Sequence, residues 1–294
     1  MKTEARRMTF DGVSARFKIY TPDKNAVTSR AAFCCSTLGD CESWDALCVR
    51  LCKSGCLCVV SELPGFGRTP VGAPQDNKTR AGVLWGILDE VEAMRGERDQ
   101  KWHLVGHGSG CGVVLTMARY QPDSVRSRVL ICPTVPRFEN RFTRACLTGK
   151  IGSLILRRVF RSYYLDPARF ENKIRQIYAC DVPQEIVERL YREFHRKGRF
   201  ETLMDSLRYG YTVPAKAWKV PGPLFVLWAA KDIFGKTMPK GLTKKLDDLE
   251  YHCYKDSGHM FYEDSAEDMS DYLTGWIESS EGRQKGPARS GNQH

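Results

Sequence analysis

No stretch of the chain approaches the roughly 18 consecutive apolar residues that a membrane-spanning helix requires. Its first residues, MKTEARRMTFDG, hold no apolar run of the kind a secretion signal uses. The chain is therefore expected to be soluble and cytoplasmic. It has 12 cysteines but no C-x2-C pair, so the spacing of structural zinc is missing. It has no G-x-G-x-x-G, so no dinucleotide site is signalled, and neither a cofactor nor a metal is expected. No internal repeat is evident. Carboxylates are outnumbered, 35 Asp plus Glu against 45 Lys plus Arg, which leaves a formal charge of +10.

At 294 residues with 42% hydrophobic content, the chain is long enough for one large domain, or a core with an insertion. Its cysteines are read as reduced thiols. Seven of them fall between Cys34 and Cys58. Cys48, Cys52 and Cys56 would be the candidates for a metal site, but small buried hydrophobes explain them better. The charge excess sits mostly between Arg137 and Lys219, where 18 Lys plus Arg face 9 Asp plus Glu. A basic region of this kind attracts anionic substrates, acidic partners or membrane surfaces, or is simply a solvated helix face. No nucleic-acid partner is expected.

In order, Met8 to Tyr20 reads as a hairpin about Asp11-Gly12, and Ala31 to Cys35 as a strand. Ser43 is placed to cap a helix from Trp44 to Lys53, ended by Gly55. Cys56 to Val60 follows as a strand, the spacing of Val83, Leu84, Ile87 and Val91 predicts a helix over Thr79–Met94, and Arg128 to Cys132 is a strand. From Thr134 to about Tyr211 only helical patterns occur. Strands then return at Pro223–Trp228 and Glu250–Lys255, with helices over Pro239–Leu246 and Ala266–Ile277. The fold class is α/β: a mostly parallel twisted sheet covered by helices on both faces, with an inserted all-helical cap. The expected division is a core of 1–133 and 214–278, a cap of 134–213 and a disordered polar tail of 279–294.

The stretch Trp102 to Val125, WHLVGHGSGCGVVLTMARYQPDSV, organises the rest. A short apolar strand runs into alternate glycines and then an amphipathic helix, the pattern of a turn that points one side chain outward beside free helix amides. It resembles the α/β-hydrolase pattern G-H-S-x-G-G, with Gly106, His107, Gly110, Ala118, Pro122 and Asp123 in register. Three further stretches resemble the family: CCSTLGDCESWDAL (Cys34–Leu47), SELPGFGRT (Ser61–Thr69), and the pair LFVLWAAKDIF and DSGHMFYED. In the first, Cys35 and Ser36 replace a His-Gly pair. In the second, Glu62 replaces an aspartate and Thr69 a serine.

The resemblance implies the family fold, Asp232 as the acid and His259 as the base of a catalytic pair, and an oxyanion hole from the amides of Thr37 and Ser109. It also places Gly108 in the nucleophile slot, where the family has serine. Glycine offers no nucleophile, and loss of the triad serine costs about 10⁶-fold in a well-studied protease. Ser109 is the candidate substitute nucleophile, although one step along the turn rotates its hydroxyl away from His259. Cys111, within the helix, is a weaker one. Whether Gly108 is native or introduced stays open.

Two functions of different class follow. One is an esterase-like serine hydrolase acting on a small or medium apolar ester or acyl compound, impaired or non-covalent because of Gly108. The other is a non-catalytic relative that binds a small molecule or a protein; between them lies a lyase-like enzyme using the Asp232–His259 pair directly. The expected ligand is a small apolar or anionic molecule under the cap. The apolar, basic run from Leu154 to Arg161 reads first as a cap helix and second as a membrane-surface helix.

Overall fold

Asp11 and Gly12 take φ of 47° and 79°, which closes a two-residue hairpin between β1 (Lys2–Phe10) and β2 (Val13–Thr21). Both strands are longer than the sequence spacing predicts. The computed structural model describes residues 1–23, 27–71, 75–134, 149–179, 181–210, 213, 215–234 and 249–283. Within them β3 (Ser29–Cys34), β4 (Cys56–Ser61), β5 (Trp102–His107), β6 (Val125–Ile131), β7 (Leu224–Ala229) and β8 (Leu249–Tyr254) complete an eight-stranded sheet. Its order is β1-β2-β4-β3-β5-β6-β7-β8. Pairing is antiparallel for β1 with β2 and β2 with β4, and parallel from β4 to β8.

Strands β4, β5 and β7 are buried at every position, as strands are when helices cover both faces of a sheet. The helices of this core are α1 (Asp45–Lys53), α2 (Asn77–Met94) and α3 (Gly110–Tyr120), joined by a last helix at the end of the described chain. Cys34, Cys56 and Cys58 on the strands and Cys48 and Cys52 on α1 are all buried free thiols, packed as small apolar groups. Cys48, Cys52 and Cys56 do not bring three ligand atoms together.

Local chemistry sets the helix ends, with two departures from the spacing. Ser43 does not cap α1: its amide and hydroxyl both donate to Asp40 Oδ1, at 3.0 and 2.9 Å, and a short 3₁₀ turn (Glu42–Trp44) precedes the helix. Helix α2 starts earlier than predicted because Asp76 accepts from the amide of Thr79 at 2.9 Å.

Between β6 and β7 the described residues form five helices, the first four being α4 (Lys150–Leu165), α5 (Pro167–Tyr178), α6 (Gln184–Phe194) and α7 (Arg199–Tyr209). Asp166 caps α5 by accepting from the amides of Ala168 and Arg169, with Pro167 in the first turn, and Ala179 ends it at φ 60°. Ile174, Ile177, Tyr178 and Leu190 from this insertion belong to the same buried apolar cluster as the sheet.

Two short helices, α8 (Ala215–Trp218) and α9 (Phe261–Asp264), and the long α10 (Ala266–Arg283) complete the chain. α10 continues past Ser279 to Arg283, into a stretch the composition marks as disordered; its apolar positions, including Trp276 and Ile277, are buried against the core and carry the helix onward. The helix expected over 239–246 lies outside the described residues. No helix among the described residues is long and apolar enough to cross a membrane.

Candidate active site

At the end of β5 the chain turns sharply, and glycine is required there by contact as well as by angle. A β-carbon at Gly106 would lie 2.8 Å from the backbone of Cys111, and one at Gly110 would collide with the carbonyl oxygens of Cys34 and Cys35. Gly108 holds φ at 53°, the left-handed region. A β-carbon added at Gly108 would stand 3.0 Å from His259 Nε2 and 3.1 Å from Ser36 Cβ. The slot assigned to the nucleophile therefore faces the imidazole directly.

His259 lies in the loop before α9 and Asp232 in the loop after β7. His259 Nδ1 is 2.8 Å from Asp232 Oδ2, and both side chains are buried. Asp232 Oδ1 accepts from the amide of Phe234 at 2.8 Å, so the carboxylate is held at both oxygens. That arrangement fixes the ring with Nδ1–H toward the carboxylate and leaves Nε2 to accept a proton. The loop itself is clamped from the insertion. The amide of His259 donates to Ile177 O at 2.7 Å, and a β-carbon at Gly258 would run into the backbone of Ile177 and Tyr178.

Ser109 is placed differently. Its hydroxyl accepts from the amide of Thr37 at 3.0 Å, and His259 is not among its partners. The two residues assigned to the oxyanion hole thus meet, but through the serine side chain, which takes the Thr37 N–H. Cys111 points into the core, its thiol donating to Gly106 O at 3.1 Å, and burial pushes its pKa well up. It is unsuited to attack.

Three residues at the site carry roles the sequence spacing did not signal. The Ser36 side chain crowds the Gly108 slot, while its hydroxyl accepts from the amide of Leu38 at 3.2 Å. Ser36 has no left-handed φ, so the loop is built without the glycine conformation its family counterpart permits. His107, fully buried, sends Nε2 to the carbonyl of His259 at 2.9 Å, with the two rings 4.5 Å apart. Burial, followed by the proximity of His259, drives its pKa well below the usual histidine value, so His107 is a neutral donor that holds the His259 backbone in place. Its motif position was the only available signal. Cys132 sits just past β6 at φ 44°, with its sulfur, Asp232 and His259 offering ligand atoms within 4.8 Å of one another. A cation there would have to part the 2.8 Å hydrogen bond between the other two and deprotonate a thiol whose pKa burial and Asp232 raise. The cluster is better suited to hydrogen bonding than to metal binding.

Glu62, in the position of the family aspartate, is a buried staple rather than a reactive group. It receives Arg16 Nη1 at 2.7 Å, the Arg68 amide at 2.8 Å and the Thr69 hydroxyl at 3.1 Å.

Above the slot opens a cavity of about 380 Å³. Ser36, Thr37, Ser109 and His259 form its polar floor. Phe160, Tyr164, Phe170, Ile174 and Leu203 from the insertion form apolar walls, with Phe234 and Lys173 contributing as well. Its size suits a small or drug-sized apolar ligand with one polar group at the floor.

A family model described as the Alpha/beta hydrolase family matches residues 35–271. Similar solved structures include a serine hydrolase from the polyaromatic-hydrocarbon-degrading bacterium Cycloclasticus zankles, at TM-score 0.71 and 14% identity, covering 95% of this chain and 99% of that one. An esterase from Exiguobacterium antarcticum has TM-score 0.69 and 13% identity, with 92% and 97% covered. A loop variant of a haloalkane dehalogenase from Bradyrhizobium elkanii has TM-score 0.70 and 14% identity, with 97% and 100% covered. At such identities the likeness is one of fold. No curated protein matches the sequence.

Proposed function

The chain belongs to the alpha/beta hydrolase family, and from that premise we propose that it takes a small or medium apolar ester, thioester or related acyl compound into the cavity and acts on it without an acyl-enzyme. The observation that carries this reading is the geometry at one nitrogen. His259 Nε2 faces the side-chain-free Gly108, with Nδ1 fixed by Asp232. The imidazole thus works as a general base on whatever it meets in the cavity, either a water that attacks the acyl carbon or an acidic proton of the ligand itself. Helices α4–α7 act as the cap, and their apolar side chains select the ligand.

The proton leaves the attacking water for Nε2, the imidazolium is stabilised by Asp232, and the same proton returns to the leaving group. Charge on the acyl oxygen would be met by the amides of Thr37 and Ser109. For that, the Ser109 hydroxyl has to turn away from the Thr37 N–H.

That same contact favours a second reading, a non-catalytic relative that keeps the pocket for binding. With the Thr37 amide already satisfied, the oxyanion site is closed at rest.

Hydrolysis of a panel of short-chain aryl esters separates the two. Under the first reading, activity falls at least about 10²-fold in His259→Ala and persists in Ser109→Ala, with no labelling by a fluorophosphonate. Loss in Ser109→Ala would instead make Ser109 the nucleophile. Silence of the unaltered chain toward every ester, with saturable binding of the same compounds, would establish the binding reading.

A further inference from the structure

The outer side of α4 is unlike the rest of the surface. Ile151, Leu154, Ile155 and Leu165 are 78%, 69%, 59% and 58% exposed. Val159 and Tyr163 are half exposed and also line the cavity, so the strip on the outer side is carried by the other four; all six are among the fourteen large hydrophobic side chains exposed among the described residues. Single exposed apolar residues are ordinary, whereas a contiguous strip of them marks an interaction surface. Ile151 and Ile155 follow one another at four-residue spacing, with Leu154 and Leu165 beside them, so they share one face. The opposite side turns inward: Phe160 and Tyr164 pack on the core cluster and line the cavity.

The charges on this helix are of one sign. Its sequence, KIGSLILRRVFRSYYL, holds no carboxylate. Arg157 is taken by Glu201, but the exposed Arg158 and Arg161 meet no carboxylate among the described residues. Pairing this face with a second copy would gather positive charge with no carboxylate on the helix to answer it, since a two-fold contact buries the same patch on both copies. An anionic bilayer complements both features at once: apolar side chains enter the acyl boundary, while the arginines reach along their stems to phosphate or carboxylate headgroups. No described helix spans a membrane, so the contact is with one leaflet.

We propose that α4 docks this protein on an anionic lipid surface, its outer face in the headgroup boundary and its inner face forming a wall of the cavity. Docking does not depend on what the cavity does. If the cavity takes an apolar acyl compound, as proposed above, docking brings its wall against the phase in which such a compound dissolves.

The full chain, mixed with vesicles of phosphatidylcholine alone or with phosphatidylserine in equal parts, is expected to float with the anionic vesicles, and to release as salt rises. Arg158→Glu changes the local charge by two and is expected to weaken binding about 25-fold, from about fivefold per charge near such a surface. Ile155→Glu is expected to weaken it at least about tenfold. The control Lys53→Glu, the same charge change on α1, should leave it within about twofold. All three positions are exposed, so circular dichroism should show unaltered folding.

The proposal is overturned by no binding of the unaltered chain to either vesicle. It is equally overturned by equal binding to both, by anionic binding that survives Ile155→Glu, or by a solution dimer that Ile155→Glu converts to monomer. None of these results bears on ester hydrolysis, which is measured separately without vesicles.

Discussion

At Gly108 and Ser36 two side chains have in effect changed places. The family pattern has a serine in the slot and a glycine in the facing loop; this chain has glycine in the slot and serine opposite. The consequence is steric. A serine put back at 108 brings its β-carbon to 3.1 Å from Ser36 Cβ and 3.0 Å from His259 Nε2, tighter than carbon packing tolerates without movement. Gly108→Ser alone is therefore expected to react slowly with a fluorophosphonate, because the imidazole must shift to admit the new group. Gly108→Ser with Ser36→Gly removes one of the two clashes and should label faster by about tenfold or more, a gain of roughly 1.4 kcal/mol at the barrier. Labelling of both should vanish with His259→Ala. Mass spectrometry of the labelled chain reads the result. Equal labelling of the single and double variants would show that Ser36 does not obstruct the slot. The alternation of glycines and the absence of a slot serine were legible in the sequence. Ser36 in place of the family's glycine was legible too, but its approach to the slot was not, because a loop residue's Cβ direction depends on how β3 and β5 lie side by side.

Between elements, the insertion meets the segment just after His259 through a small polar cluster. Arg189 on α6 reaches Asp40 Oδ1 at 3.1 Å and Glu263 Oε2 at 3.4 Å, and the Tyr178 hydroxyl of α5 donates to Glu263 Oε1 at 3.0 Å. Ser43 bonds to the same Asp40. Burial raises the Glu263 pKa from 4.5 to about 7, while Arg189 and Tyr178 act in the lowering direction and Asp40 adds a further raising effect. In the folded protein Glu263 thus keeps its proton over a window where the unfolded chain has lost it. Its contribution to stability is complete below pH 4.5, declines as pH rises, and is gone above about 7. A shift of that size corresponds to about 3 kcal/mol across the window. Glu263→Gln cannot ionise and should be free of this decline. Chemical denaturation of both chains at intervals from pH 4.5 to 8 checks it, as the difference between them cancels carboxylates such as Glu42 and Glu97, whose lowered pKa values give the opposite slope. A difference that does not change with pH would remove Glu263 from the coupling. Helix existence and order were readable from apolar periodicity and from punctuation such as Asp166-Pro167. This cluster was not, since its members come from four separate stretches of chain and only tertiary packing brings them within reach.

For the molecule as a whole, the alternation of strands and helices was plain in the sequence because β4 and β7 are nearly unbroken apolar runs, β5 begins as a short one, and the intervening helices keep their periodicity. What the sequence did not convey is how firmly the insertion is joined to the core. Composition set 134–213 apart, basic and wholly helical, as if it were a separable unit. Its buried Phe170, Ile174, Ile177, Tyr178 and Leu190 nonetheless belong to the same apolar cluster as the sheet. Polar ties reinforce the join: Arg199 Nη2 donates to Gly67 O at 2.7 Å and Arg80 Nη2 to Ser206 Oγ at 2.9 Å, both largely out of solvent. Removing the insertion would strip cover from the base loop as well, since Ile177 O holds the His259 amide. The insertion and the core are therefore expected to unfold together. The chain supplies two probes that tell them apart. All 6 tryptophans (Trp44, Trp85, Trp102, Trp218, Trp228 and Trp276) fall outside 134–213, so their emission follows the core. The far-ultraviolet helical signal draws heavily on α4 to α7. In urea the two signals should trace one transition with a single midpoint and slope, as two-state behaviour requires. Loss of helical signal at lower urea, while tryptophan emission stays native, would instead make the insertion an independently melting lid. The base loop would then keep its Asp232 contact but lose its clamp before the sheet opens.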